Sequence, residues 1–144
     1  MNVDDFVVPT LTGLRANFIT ARAAARHMVQ HAGGAILMLT SGSGLESTLP
    51  EFWPMGGTGP ADAATESFMR YLAAEVGPKG VRVNCLWTAG VTLGEATAEG
   101  SGGVEDALVG VSMLRKRPTL QEVADTAAFL ARTKQAVSPR RSST

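Results

Sequence analysis

An α/β fold, with helices packed on a parallel sheet of the doubly wound kind, is what this sequence predicts, and three observations predict it. Two short apolar runs, Ala35–Thr40 and Val81–Trp87, are bounded by glycines or turn residues and have strand length. Between them Ala64, Phe68, Leu72 and Val76 recur four apart, the period of a helix. A further segment of helical period precedes the first run and another follows the second. Strand, helix and strand in that order require a parallel pair joined by a right-handed crossover. With 144 residues, 44% of them hydrophobic, the chain can bury a core.

The first helix is expected over Thr12–His31. Leu14, Phe18, Ala21, Ala25 and Met28 form one stripe, Arg15, Arg22 and Arg26 lie off it, and Gly33-Gly34 supplies the break. Ala35–Thr40 does not alternate, as suits a strand covered on both faces. Ser41 to Gly59 is a long Gly/Ser/Pro-rich loop, and loops of that length inside a domain commonly carry function. Pro60 fits the first turn of the next helix, where its missing N–H leaves no bond unmade, and Gly77-Pro-Lys-Gly80 ends that helix. Val81–Trp87 is the second strand, followed by a glycine-rich loop from Thr88 to Gly103. Thr119 and Glu122 have capping-box spacing at the start of a last helix, whose buried face is expected at Val123, Ala127 and Leu130. Residues 1–132 thus read as one partial domain. The tail Thr133–Thr144, polar and without periodicity, reads as disordered.

Charge and composition exclude several function classes. Thirteen basic residues cancel thirteen acidic ones without a basic stripe, so neither nucleic acid nor an anionic membrane is an expected partner. No apolar run approaches the ~20 residues that span a bilayer. One cysteine, Cys85, forbids an internal disulfide, and the N-terminus lacks a basic, apolar leader, which makes a cytoplasmic location the expectation. Cys85 itself, in an apolar strand, reads as a structural thiol. His27 and His31 are one turn apart but have no third ligand in the pattern, so no metal site is expected. Gly56-Gly-Thr-Gly59 precedes a helix without either phosphate-loop pattern, and Pro60 removes a donor, so this is a helix start rather than a phosphate cradle. Phe52-Trp-Pro-Met55 is equally suited to lining a substrate mouth and to folding over the core.

Four stretches carry a resemblance: A23-A-A-R-H-M28, G33-G-A-I-L-M-L-T-S-G-S-G-L45, Y71-L-A-A-E-V-G-P-K-G-V-R-V-N84 and R117-P-T-L-Q-E-V-A-D-T-A-A-F-L130. In order they resemble the second half of a short-chain dehydrogenase/reductase, over about residues 12–130. The resemblance implies a partial Rossmann-like sheet, a bound NAD or NADP, and a tyrosine, lysine and serine that move a proton while hydride passes. It places the serine at Ser41, the second residue of Thr40-Ser41. With Ala63-Ala64 as the register mark, the tyrosine position falls on Thr58 and the lysine position on Asp62, and the asparagine of the preceding helix falls near Gly13. The turn that meets the nicotinamide corresponds to Thr88-Ala89-Gly90-Val91, so Gly90 and Val91 are the expected cofactor contacts.

A threonine hydroxyl does not ionise near neutral pH as a phenol can, and Asp62 reverses the charge that would draw a phenol down. Of the resemblance's proton-moving groups only Ser41 is kept. The family's phosphate-binding turn and its final strand have no counterpart in the sequence, which makes a truncated or frame-shifted copy the expectation. The resemblance also makes the two long helices the usual pairing surface, so self-association through Leu14–Met28 and Phe68–Val76 is expected. On these residues the chain is an oxidoreductase-like domain with its chemistry impaired, a subunit-interaction module, or the product of a gene relic.

Overall fold

The computed structural model describes residues 2–41, 57–88, 90–92 and 104–132. Helix α1 spans Val3–Gln30, strand β1 Gly34–Thr40, helix α2 Thr58–Val76, strand β2 Val81–Trp87, helix α3 Val104–Val111 and helix α4 Leu120–Ala131. Helix α1 begins well before Thr12, because Asn2 and Asp5 cap each other: the Asp5 N–H donates to Asn2 Oδ1 at 2.9 Å and the Asn2 N–H to Asp5 Oδ2 at 3.0 Å. Pro9 lies inside this first part and deprives the helix of one N–H bond. The added turns pack little, since Val3, Phe6, Val8 and Leu11 are exposed, and no buried stripe marks them in the sequence.

The strands pair in parallel from Gly34↔Val81 to Thr40↔Trp87. Helix α2 is the crossover, and a short 3-10 turn, Gly77–Lys79, leads from it into β2. Burial concentrates on one face of the pair, where Ile36 and Met38 of β1 and Val81 and Val83 of β2 meet Ala21 and Ala25 of α1 and Leu72 and Val76 of α2. The two helices run in the same direction. Thr10 Oγ1 donates to the Gly57 carbonyl, Asn17 Nδ2 donates to Thr65 Oγ1 at 3.1 Å, and the rings of Phe18 and Phe68 stand 5.8 Å apart.

The other face is covered less. Leu39 is exposed, so β1 alternates after all instead of being enclosed on both sides. Helix α4 packs there against β1, and its Val123, Ala127 and Leu130 are half-buried. Arg82 binds the end of α4, with Nη1 donating to Leu130 O at 2.7 Å and Nη2 to Arg132 O at 2.8 Å, a cation on the negative end of a helix. The capping box of α4 forms as its sequence predicts. Helix α3 occupies a stretch where the sequence pattern suggested no element. The expected disordered tail lies outside the described residues.

Candidate active site

The C-terminal ends of both strands and the N-terminus of α2 converge, which is where open parallel sheets hold their ligands. The strand ends are tied together: Thr88 donates to the Thr40 carbonyl through its N–H at 3.1 Å and through Oγ1 at 3.3 Å. Thr40 is buried, and its Oγ1 lies 3.6 Å from Cys85 Sγ. The next residue, Ser41, is thereby delivered to the mouth of the sheet.

Ser41 meets Asp62 there. The Ser41 hydroxyl donates to Asp62 Oδ2 at 2.5 Å, and the Ser41 N–H donates to the same oxygen at 3.0 Å. Helix geometry makes this contact possible, since Asp62 lies one turn inside α2, whose first residue is Thr58. Thr10 holds the helix start, and a Cβ on Gly57 would come within 2.4 Å of the Phe6 carbonyl, so α1 presses directly on the backbone at that point. A hydroxyl has one proton, and here a carboxylate takes it. Ser41 Oγ is left as an acceptor, whereas polarising a carbonyl requires a donor. The surrounding charge has the same sense. Burial raises the Cys85 pKa, the Thr40 hydrogen bond opposes the rise, and the negative charges of Glu66 and Asp62 add to it, so the thiol stays protonated and un-nucleophilic.

Gly90 and Val91 follow β2. Gly90 has φ +84, and a Cβ on it would stand 2.7 Å from Arg117 Nη2, so conformation and space both call for glycine. Arg117 Nη2 donates to the Val91 carbonyl at 3.0 Å, and the Thr92 N–H donates to Pro118 O at 2.9 Å beside a parallel bridge between Thr92 and Thr119. The sequence pattern gives Arg117 no role; its signal is an arginine two residues before Thr119, the cap of α4. Asn17 was also missed. It lies one turn beyond Gly13 and reaches α2 at Thr65, not the Ser41–Asp62 pair.

The residues the resemblance assigns to a nicotinamide cofactor fit it poorly. Arg117 packs against the Gly90–Val91 turn, and where the resemblance calls for an ammonium that donates to ribose hydroxyls Asp62 has a carboxylate that can only accept, its Oδ2 already accepting twice from Ser41. His27 and His31 stack at 4.1 Å with His31 Nδ1 2.7 Å from the His27 carbonyl, and no group of three metal-ligating side chains occurs among the described residues. Phe52–Met55 lies outside those residues. No helix among them is long and apolar enough to cross a membrane.

Comparisons with known proteins bear on the same elements. Residues 3–138 match the family model described as enoyl-(acyl carrier protein) reductase. The chain is 38% identical over 100 residues to enoyl-(acyl-carrier-protein) reductase (NADH) FabI of Synechocystis, an alignment covering 69% of this chain and 37% of the relative. It is 32% identical over 120 residues to the Escherichia coli protein of that name, covering 79% of this chain and 42% of the relative. It therefore spans about two fifths of the length of these curated relatives. Among solved structures it superposes with a TM-score of 0.66 and 28% identity on a short chain dehydrogenase/reductase family protein, over 91% of this chain and 52% of the other.

Proposed function

Because this chain belongs to the short-chain dehydrogenase/reductase family, we propose that it is an oxidoreductase-type domain of the enoyl-(acyl-carrier-protein) reductase branch in which the proton-transfer machinery is switched off. The NAD(P)-linked chemistry of the family is its ancestry rather than its present reaction. One observation carries this reading: the Ser41 hydroxyl is spent on Asp62 at 2.5 Å. Thr58, at the position of the family's tyrosine, brings no acid of usable pKa, and Asp62, at the position of the lysine, brings the opposite charge. Proton delivery to a substrate oxygen has no donor left among these residues.

A chimera tests it. The aligned region of the Escherichia coli relative is replaced by residues 3–132, and NADH oxidation is followed with an enoyl thioester. The chimera is expected to be inert, and Thr58→Tyr with Asp62→Lys is expected to restore at least about 100-fold, the scale of one positioned acid. Turnover by the unrestored chimera near the parent's rate would sink the proposal.

A second reading, a module that binds another protein, is favoured by a separate observation. The outer face of α1 and α2 leaves Phe18 49% and Tyr71 77% exposed beside one another, and nothing described covers them.

A further inference from the structure

The two histidines that end α1 lie at the far end of the sheet from Ser41, with the length of β1 between them, about 20 Å at 3.3 Å per residue. His27 is in the last turn of the helix, His31 is its C-cap, and both are exposed. A spacing of four sets them on one side of the helix. That side is not the one that packs, since His27 follows the buried Ala25 by two positions, about 200° around the axis. Ala23 and Thr20, one and two turns back, bring no charge to it. Arg26 and Lys79 line the groove between α1 and α2 instead.

The pair is held in place by its backbone. The Met28 carbonyl accepts from the His31 N–H at 3.2 Å and from the Gly33 N–H at 3.1 Å, which fixes the chain that carries the second ring. The rings stack with centroids 4.1 Å apart and planes 25° apart. His31 Nδ1 stands 2.7 Å from the His27 carbonyl oxygen, and because a carbonyl can only accept, the proton of the neutral ring is on Nδ1. The lone pair of His31 is thereby on Nε2. A ring whose other nitrogen donates to a backbone carbonyl is the form in which imidazole usually binds a metal. The His27 ring makes no hydrogen bond among the described residues and has a lone pair to give as well. Two nitrogens in adjacent positions on one metal, each about 2.0 Å from it, stand about 3 Å apart. Rings that are already close and nearly parallel reach that separation by small rotations of their side chains. The carbonyl end of the helix dipole also favours a cation there.

The donor set selects the metal. It has no oxygen ligands of the kind that calcium and magnesium take. Zinc sites use three or four protein ligands, and no group of three occurs among the described residues. Imidazole without thiolate suits copper(II), which accepts tetragonal nitrogen and oxygen coordination and binds most tightly of the divalent first-row ions. We infer that His27 and His31 form a two-point chelate for copper(II), with water in the remaining positions. The spacing exists only while α1 is folded through its last turn, so binding is linked to folding. The site is remote from the Ser41–Asp62 pair and does not depend on the proposed function.

Copper(II) chloride titrated into the full chain in a non-coordinating buffer tests it, with calorimetry giving affinity and electron paramagnetic resonance giving the ligands. An axial spectrum with two imidazole nitrogens is expected. His27→Ala and His31→Ala should each weaken binding about tenfold or more, because a chelate loses one of its two anchors. His27→Ala with Arg26→His keeps two histidines but sets them five apart, on different sides of the helix, and should bind no better than His27→Ala. Cys85, the other soft donor, is present in every variant and cancels in the comparison. Zinc(II) should bind about tenfold or more weakly than copper(II). Saturating copper should raise the melting temperature of the parent chain more than that of either single variant. Affinity unchanged in both single variants, a spectrum with one imidazole nitrogen, rescue by the displaced histidine, or zinc binding tighter than copper would each overturn the proposal. All three substituted positions are exposed, and circular dichroism confirms that each variant is folded when the affinities are compared.

Discussion

The two ends of the same strand pair are built by different means. At the N-terminal end backbone meets backbone: the Gly34 N–H donates to the Gly80 carbonyl at 3.3 Å, and Gly33 and Gly80 both have positive φ, +80 and +81. At the C-terminal end side chains do the work, with Thr88 on Thr40, Asp62 on Ser41 and Arg117 on the Gly90–Val91 turn. The first end depends on shape and the second on charge and hydrogen bonding. Under the proposed function the first end keeps the glycines that its shape requires, whereas at the second Thr58 and Asp62 replace two of the three groups that proton transfer would require. Such a contrast is what the proposed function expects of a sequence relieved of chemistry but still required to fold, because a glycine at positive φ has few substitutes while a hydroxyl or a charge at a strand end has several.

The N-terminal end is the more costly to disturb. Gly33→Ala would put a Cβ 2.4 Å from the Gly80 carbonyl oxygen at a backbone φ of +80. Strain at positive φ and overpacking together are expected to destabilise the chain by about 2–4 kcal/mol in urea titration. A loss below about 0.5 kcal/mol would show that the strand pair does not need this close approach.

Asp62→Ala comes next. It removes a charged acceptor from both the Ser41 hydroxyl and the Ser41 N–H, and a loss of about 1–3 kcal/mol is expected in the same titration. If stability instead rises, the carboxylate is a liability at the site and not a tie between β1 and α2, and the contrast between the two ends fails.

What could be read from the sequence divides along the same line. β2 was legible to its limits because Gly80 and the turn before it punctuate a β-rich run, and α4 was legible because Thr119 and Glu122 announce a capping box. The start of α1 was not, because its cap is the unremarkable pair Asn2 and Asp5 and its early turns bury nothing. Register against the family assigns Ser41, Thr58 and Asp62 their expected positions. The contact of Ser41 with Asp62 could not be read from it, since it depends on how closely the end of β1 approaches the second turn of α2, a distance set by packing 21 residues away. Arg117 was invisible as a site residue for the same reason: its partner, Val91, is 26 residues distant. The helix stripes were legible, but which of their members face out was not. Ala21 and Ala25 enter the core while Phe18, on the same stripe, stays half in solvent with its ring 5.8 Å from that of Phe68.

The smallest expected effect is the most selective, because acid should loosen one end of the sheet and leave the other. Glu122 accepts from Lys116 Nζ at 2.8 Å and from the Thr119 N–H at 2.8 Å. The Lys116 hydrogen bond first, then the Thr119 backbone bond, hold its pKa at about 2 in place of the ordinary 4.5. A carboxyl with a depressed folded pKa contributes its stability above the unfolded value and loses it as pH falls through the folded one, so the window here runs from about 4.5 down to about 2. The α4 start that this capping box holds also carries Pro118 and Thr119, which bind Thr92 next to the Gly90–Val91 turn. Amide exchange at Thr92 and Glu122 should therefore quicken across that window while Gly34 and Gly80, tied by backbone alone, keep their protection. Glu122→Gln should abolish the pH dependence, and Lys116→Ala should move its midpoint upward, because the largest of the causes is gone. Since both side chains of the Lys116–Glu122 pair are about half exposed, at 59% and 49%, added salt should flatten the response as well. Exchange that quickens equally at both ends would mean that the two halves of the sheet open as one unit, and that the division between shape and charge does not extend to the dynamics of the chain.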